Sequence, residues 1–376
     1  MRNQIIDNLR GLCMLGVIAI HIGSLALAPQ SFTLYVVLEV LSRYSVPAFF
    51  FISGYGLFLK DDLGPGFSYL GFLKQRLIST GLPYLTWSLF YLLYFWAILP
   101  PGYVSLAPLS LAYVLFFGLG CYHLYFMVIL LWFHGSYPLW RWLLKRLLST
   151  SAFLALGVLL LFQLAFNWWT THPGLDPDSL PLIARHFFNH RLNYLPLHYL
   201  LIFMAGGLAA KSWSNFTSFL EGHKKSVLGF YLTTVAAMVG CSYYSYTVEH
   251  YTLLDLANTY HQLSIPSLFY TLGSLGAFCL FLSYLEKQAA TGSRLPQLTL
   301  KAIGLLSRYS MIIYFLHPLL LEWLTSLYHY YGIVMTVKKV SLSYVLLVAF
   351  ALLGSMLLQA LFNKLPIIKL LFTGKK

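Results

Sequence analysis

The sequence predicts an all-α integral membrane protein, a bundle of about ten transmembrane helices with both termini in the cytoplasm, and three observations predict it. Hydrophobic residues fill 59% of the 376 positions and charged residues only 9%, with a mean hydropathy of +0.72. That composition belongs to a chain whose main solvent is lipid. Ten apolar stretches approach the about 20 residues that one crossing needs. The basic residues, finally, gather on one side of the map those stretches draw.

In order, the expected spans are 5–28, 34–59, 80–99, 122–140, 151–168, 197–211, 227–248, 264–284, 302–326 and 343–362. The sixth is the shortest. Residues 109–119, "LSLAYVLFFGL", are too few to cross and read as a re-entrant or interfacial piece. The first run lacks the short charged leader and cleavage site of a signal peptide, so it is expected to be a retained helix. Between spans, 61–79 reads as a turn followed by an interfacial amphipathic piece, and 286–301 as a polar linker. The longest segment outside the spans is 169–196, expected on the outer face, with His172, His186 and His190. Their spacing matches no dense metal-ligand set, so they read as surface histidines. No repeat of the kind that marks duplicated transporters is visible. The chain is expected to form one integral domain, 1–376, with no soluble appendage.

The net charge of +13 would suit nucleic acid, but its distribution argues for topology instead. With the amino terminus inside, 17 Lys and Arg residues fall on cytoplasmic segments, from Arg2, Lys60, Lys74 and Arg76 to Lys364, Lys369, Lys375 and Lys376. Four fall outside: Arg185, Arg191, Lys338 and Lys339. Arg10, Arg43 and Arg308 lie within or at the edges of spans. Such asymmetry is the positive-inside pattern of a plasma or inner membrane protein, and no nucleic-acid partner is expected. Cys13, Cys121, Cys241 and Cys279 are scattered through apolar runs without metal-site spacing and read as core residues.

Ionisable residues inside spans are costly and mark function by default. Arg10 and His21 are eleven apart, three turns plus about 20°, so they share one face of the first helix, roughly 16 Å apart along its axis. Arg10 sits near the cytoplasmic end and His21 in the outer half, with Gly11, Gly16 and Gly23 allowing close packing. Each alone would read as a snorkelling arginine and a hydrogen-bonded core histidine; stacked on one face they point to function. Asp7, three residues before Arg10, is placed to orient it. A second polar set lies in the outer half: Glu39 and Arg43 one turn apart, His123 near Tyr125, and His317 with Glu322. Glu39 and Arg43 read equally as an ion pair with each other. His317 precedes Pro318, where the broken backbone ladder needs polar partners, which is its alternative structural reading.

These residues resemble the membrane-bound acyltransferase 3 family, with its Asp-x-x-Arg-Gly start and its arginine and histidine eleven apart: here Asp7, Arg10, Gly11 and His21. The resemblance continues through "YSVPAFFFISGYGLFL" (44–59), "FLKQRLISTGLPYLTW" (72–87), "CYHLYFMVILL" (121–131), "FMAGGLAA" (203–210) and "SRYSMIIYFLHPLLL" (307–321). Two positions depart from the pattern: Ser79 where a basic residue is common, and Tyr125 where a tryptophan is usual. No fused SGNH-type hydrolase domain is expected. The resemblance implies an acyltransferase that moves an acyl group, commonly acetyl, from cytoplasmic acyl-CoA to a hydroxyl of a sugar-containing envelope acceptor, a glycan or glycolipid. Acyl-CoA is a co-substrate, and no bound cofactor or metal is implied.

The residue chemistry is compatible with this. Phosphates of CoA need cationic partners, for which Arg10, Lys74, Arg76 and Arg308 at helix ends are the donor-binding candidates; positive-inside placement alone also explains the last three. A thioester needs chiefly an aligned hydroxyl, a base and an oxyanion partner. Histidine suits the base, so His21 and His317, with Glu39, are the catalytic candidates; Glu39 and Glu322 are alternatives for orienting either histidine, and no spacing ties either acid to either base. Direct attack and a covalent acyl-histidine both remain open. No GxSxG is present, and Ser53 in "FISGYG" has no neighbouring histidine. The alternative from another class is an exporter or flippase of a polysaccharide or lipid-linked glycan, lined by the same polar helices. A purely structural scaffold would leave Arg10 and His21 without a purpose. Oligomeric state has no signal in the sequence.

The orientation has a direct test. Cysteines introduced at Ser179 and Ser293 should be labelled by an impermeant thiol reagent from outside at Ser179 alone, and labelling of both, or of Ser293 alone, refutes the map.

Overall fold

The computed structural model describes residues 3–27, 30–172 and 174–375; Arg2 and Lys376 of the charge map lie outside them. Among the described residues there are helices and no strand. The helices are α1 Gln4–Ala26, α2 Phe32–Leu38, α3 Ser45–Leu59, α4 Tyr69–Ile98, α5 Pro108–Phe117, α6 Tyr125–Gly135, α7 Tyr137–Leu148, α8 Ala152–Thr171, α9 Leu182–Asn189, α10 Leu200–Lys211, α11 Trp213–Gly222, α12 Lys224–Thr247, α13 Leu253–Thr259, α14 Ile265–Ala290, α15 Arg294–Tyr330, α16 Val337–Lys364 and α17 Pro366–Thr373. Among the described residues, eight segments are long and apolar enough to cross a bilayer: α1, Phe32–Leu59, α4, α8, α12, α14, α15 and α16. The protein is an all-α integral membrane protein. Eight of the ten expected spans coincide with these segments, while 122–140 and 197–211 fall on helices of 11 and 12 residues.

Two expectations for the connections are corrected, and a third segment gains detail. The "interfacial piece" of 61–79 is the opening of α4, joined to the rest of that helix through a π-helical stretch, Leu77–Gly81. Pro83 has no N–H for the Ser79 carbonyl, and a local change of ladder is one way a helix accommodates that loss. The "linker" 286–301 is helical except for residues 291–293, because α14 runs to Ala290 and α15 starts at Arg294. The segment 169–196 carries α9 and a four-residue helix, Arg191–Tyr194, where His186 and His190 both hydrogen-bond the Tyr113 hydroxyl at 3.1 and 2.6 Å.

The chain forms two compact units, Met1–Leu59 with Ala205–Leu358, and Lys60–Met204 with Gln359–Lys376. In the first, α1 is the central helix. A Cβ on Gly11 would collide with the Ile303 carbonyl of α15, one on Gly16 would lie 2.8 Å from the Ser45 Cβ of α3, and one on Gly23 would collide with the Glu39 carboxylate. Without a hydrophobic drive between helices in lipid, such close backbone approach is the main source of association. Gly11 beside Ile303 and His21 beside His317 make α1 and α15 parallel. Tyr44 on Leu12 and Asn3 on Tyr55 make α3 antiparallel to α1. Phe32, just after α1, stacks on Tyr246 at 5.1 Å, so α12 ends where α1 ends. The chain therefore crosses an even number of times between Leu59 and Lys224, as both the eight-span and the ten-span readings require. Tyr328 on Ser343 turns α16 back beside α15, which brings the C-terminal part of α16 to the end where α1 begins.

The second unit is stapled at residues 60–68. Arg141 of α7 grips Asp61 with Nε at 2.6 Å and Nη2 at 2.9 Å, donates to the Gly64 carbonyl at 3.0 Å and lies 4.0 Å over the Phe67 ring. Tyr137 donates to the same carboxylate at 2.8 Å. In α8, Gln163 bonds Asn167, the Leu197 carbonyl and the Leu201 N–H, and His198 meets Asn167 at 3.2 Å, a closed polar cluster inside an apolar helix pair. The chain's last helix docks on α4, with Trp87 donating to the Phe372 carbonyl.

The Asp61 staple makes stability of this unit sensitive to acid. Burial by itself would raise the carboxyl, but the Arg141, Leu63 and Tyr137 hydrogen bonds outweigh it and hold Asp61 below the usual carboxylate range. A depressed folded value means that the stabilisation is fully present above the unfolded value of about 3.9 and disappears as the pH falls through the folded one. Arg141→Ala, which leaves Asp61 buried at 7% side-chain exposure without its partner, should cost about 3–5 kcal/mol, and the variant should lose the wild-type dependence on pH below about 4. Detergent-solubilised melting curves across pH 3–7 check both; an unchanged melting temperature at neutral pH refutes the staple.

Candidate active site

The first unit brings Asp7, Arg10, His21 and His317 onto the α1–α15 seam and Glu39 and Arg43 onto its flank. At the N-terminal end of α1, Arg10 is a third exposed and pairs with Asp7 at 3.4 Å, the orienting contact expected from their spacing. Arg308 of α15 is exposed, its guanidinium 5.8 Å from the Tyr309 ring, and, nine residues before His317, it projects about 180° away around α15. Farther along, the His21 and His317 rings are 5.1 Å apart, tilted by 31°. The two histidines, separated by nearly 300 positions in sequence, thus form one pair.

His317 is fully buried and its Nδ1 lies 2.9 Å from the Ile313 carbonyl. A carbonyl only accepts, so Nδ1 carries the proton and the neutral ring has its basic lone pair on Nε2. The ring also meets the carbonyl of Tyr314, the group that the missing N–H of Pro318 leaves without its helical donor. The structural reading of His317 and its proximity to His21 therefore hold together, because the carbonyls beside the proline are what orient the ring.

Glu39 closes α2, a 3-10 turn Val40–Ser42 follows, and Arg43 stands beyond it. Their side chains form a buried ion pair at 2.9 Å, 8% and 9% exposed. The Glu39 carboxylate packs on the Gly23 backbone, two residues past His21, and Arg43 donates to the Ala257 carbonyl at 3.1 Å. Glu322 is exposed and, five residues past His317, projects about 140° away around α15.

The remaining candidates belong to the second unit. His123 is buried against the Tyr91 ring at 5.6 Å, with Tyr125 opening α6 two residues on. Lys74 is exposed, and Arg76 is half-buried with its guanidinium 5.2 Å from the Phe72 ring. Among the described residues no group of three His, Cys, Asp or Glu side chains has metal-binding geometry.

A family model described as an acyltransferase domain matches residues 3–360. The chain belongs to the acyltransferase 3 family. It is a membrane acyltransferase that acts on an acceptor. Comparisons with curated proteins and with solved structures give no significant match.

The seam of α1 and α15 thus carries the Arg10 guanidinium towards one end and, some turns away, two imidazoles, one of them with a defined tautomer. Sequence reading did not single out Asp61 or Arg141, whose partnership has no spacing signal, nor the Gln163, Asn167 and His198 cluster, where the i, i+4 amides in an apolar helix were a readable hint.

Proposed function

We propose that this acyltransferase moves an acyl group, acetyl in the first instance, from cytoplasmic acyl-CoA to a hydroxyl of a sugar-containing envelope acceptor, and that the α1–α15 seam carries the reaction. The observation that carries this reading is the apposition of His21 and His317 on parallel helices, with Arg10 on the face of α1 that bears His21, towards its N-terminal end. The roughly 16 Å between Arg10 and His21 suits a donor whose phosphates rest on guanidinium groups while its extended thiol arm reaches along the helix. The positive-inside charge distribution supports entry of the donor from the cytoplasm.

In the proposed step, His21 takes the proton of the acceptor hydroxyl as its oxygen attacks the thioester carbonyl. The tetrahedral intermediate collapses with cleavage of the C–S bond, and the departing thiolate recovers the proton from the imidazolium, leaving an ester and free CoA. His317, held by the Ile313 carbonyl, fixes the wall beside His21. The buried Glu39–Arg43 pair against Gly23 positions the turn of α1 that bears His21. An exporter would have no use for a phosphate site at the opposite end from the histidines.

Two outcomes test the reading. Arg10→Ala should weaken acetyl-CoA binding by at least about tenfold, with Arg10→Lys restoring it only in part because the planar two-pronged donor is lost; unchanged donor affinity in the alanine variant refutes the donor site. His21→Ala should leave a folded protein that binds donor yet transfers about 10²- to 10⁴-fold more slowly. Transfer by purified protein at saturating acetyl-CoA, with binding checked in parallel, measures this, and near-normal turnover returns His21 to a structural role.

A further inference from the structure

Where α12 ends and the chain turns into α13, a cavity of about 430 Å³ opens, lined by Tyr244, Ser245, Glu249, Tyr251, Thr259 and Tyr260. Its volume falls in the range of about 300–1,000 Å³ typical of small-molecule sites. The turn that shapes it is held by the Tyr251 N–H on the Ser245 carbonyl at 3.0 Å, and His250 takes the left-handed conformation, φ 57°, that sends Tyr251 back beside α12. On the opposite wall the Tyr260 hydroxyl bonds Ser245 at 2.9 Å and the Cys241 carbonyl at 3.2 Å. Tyr244 and Tyr251, both in the lining, remain 55% and 38% exposed, and Glu249 is exposed beside them.

We propose that this cavity binds a sugar unit of the acceptor. A pyranose presents an apolar C–H face and a rim of hydroxyls; the cavity presents aromatic faces and, between them, a carboxylate that only accepts and phenol and alcohol hydroxyls that do both. An interfacial aromatic belt accounts for tyrosines at the end of a span, but not for a cavity whose lining also includes Glu249 and Thr259. Position supports the assignment as well. The cavity lies at the end of the first unit where α1 ends, opposite Arg10, so a donor on Arg10 and an acceptor in this cavity approach the histidine pair from opposite ends. Its wall is also linked to the turn of α1 just past His21: Thr259 and Tyr260 follow Ala257, whose carbonyl accepts from Arg43, which pairs with Glu39 against Gly23.

The inference rests on the acyl-CoA-to-glycan reading, and one experiment separates their failures. Purified protein is given labelled acetyl-CoA and de-O-acylated envelope glycan of the native host over a concentration series. Tyr244→Ala/Tyr251→Ala should raise the acceptor KM at least about tenfold while kcat at saturating glycan is retained, and Glu249→Gln, which preserves shape, should raise it by a smaller factor. An acceptor KM within about twofold of wild type in both variants, or a fall in kcat with KM unchanged, overturns the assignment while leaving the function standing. If the wild-type protein transfers no label to glycan, the functional reading fails and the cavity's role falls with it.

Discussion

The close approach of other helices to α1 is the constraint on which the centre of the first unit depends. Lipid offers α1 no hydrophobic reason to be covered, so its neighbours are held by packing and by hydrogen bonds. Gly11 admits the α15 backbone, Gly16 admits Ser45 of α3, and Gly23 admits the Glu39 carboxylate. Contact at Gly11 sets the lateral distance between α1 and α15, and several turns later that distance brings His21 and His317 to 5.1 Å. A bulkier residue at Gly11 would act on the histidine pair without touching it.

A second constraint follows from the first. Polar groups drawn into a bilayer-embedded core must find partners there, and each does so through a different part of the chain. His317 takes its own helix's carbonyls beside Pro318. Glu39 takes Arg43, which spends another N–H on Ala257 some 214 positions away. In the second unit, Gln163 and Asn167 close their amides on the backbone and His198 of the following segment. These arrangements rigidify the walls around the polar residues, which is the condition under which a base and a substrate keep a fixed geometry.

Much of this was legible in the residues. The Asp7, Arg10, Gly11 and His21 pattern marked helix and family together, and the Asp7–Arg10 and Glu39–Arg43 contacts followed from i, i+3 and i, i+4 spacing. The extents of the connecting segments were not legible, because residues such as 294–301 are polar enough to read as linker yet still helix-forming, and it is their continuation into the apolar run that makes α15 a helix of 37 residues. The two expected spans at 122–140 and 197–211 also show that apolar length alone does not decide where a helix stops; Ser136 ends one, and Pro196 sets a 3-10 turn ahead of the other.

By itself the sequence determined an all-helical membrane chain of the acyltransferase 3 family, because composition, apolar run length and short-range motifs are local properties. The tertiary structure alone decided that His317 meets His21, that Asp61 is gripped by Arg141 across 80 positions, and that Tyr244 and Tyr260 face one cavity. Those facts depend on which helix faces lie against each other and at what register, and no periodicity along one helix encodes the identity of its neighbour.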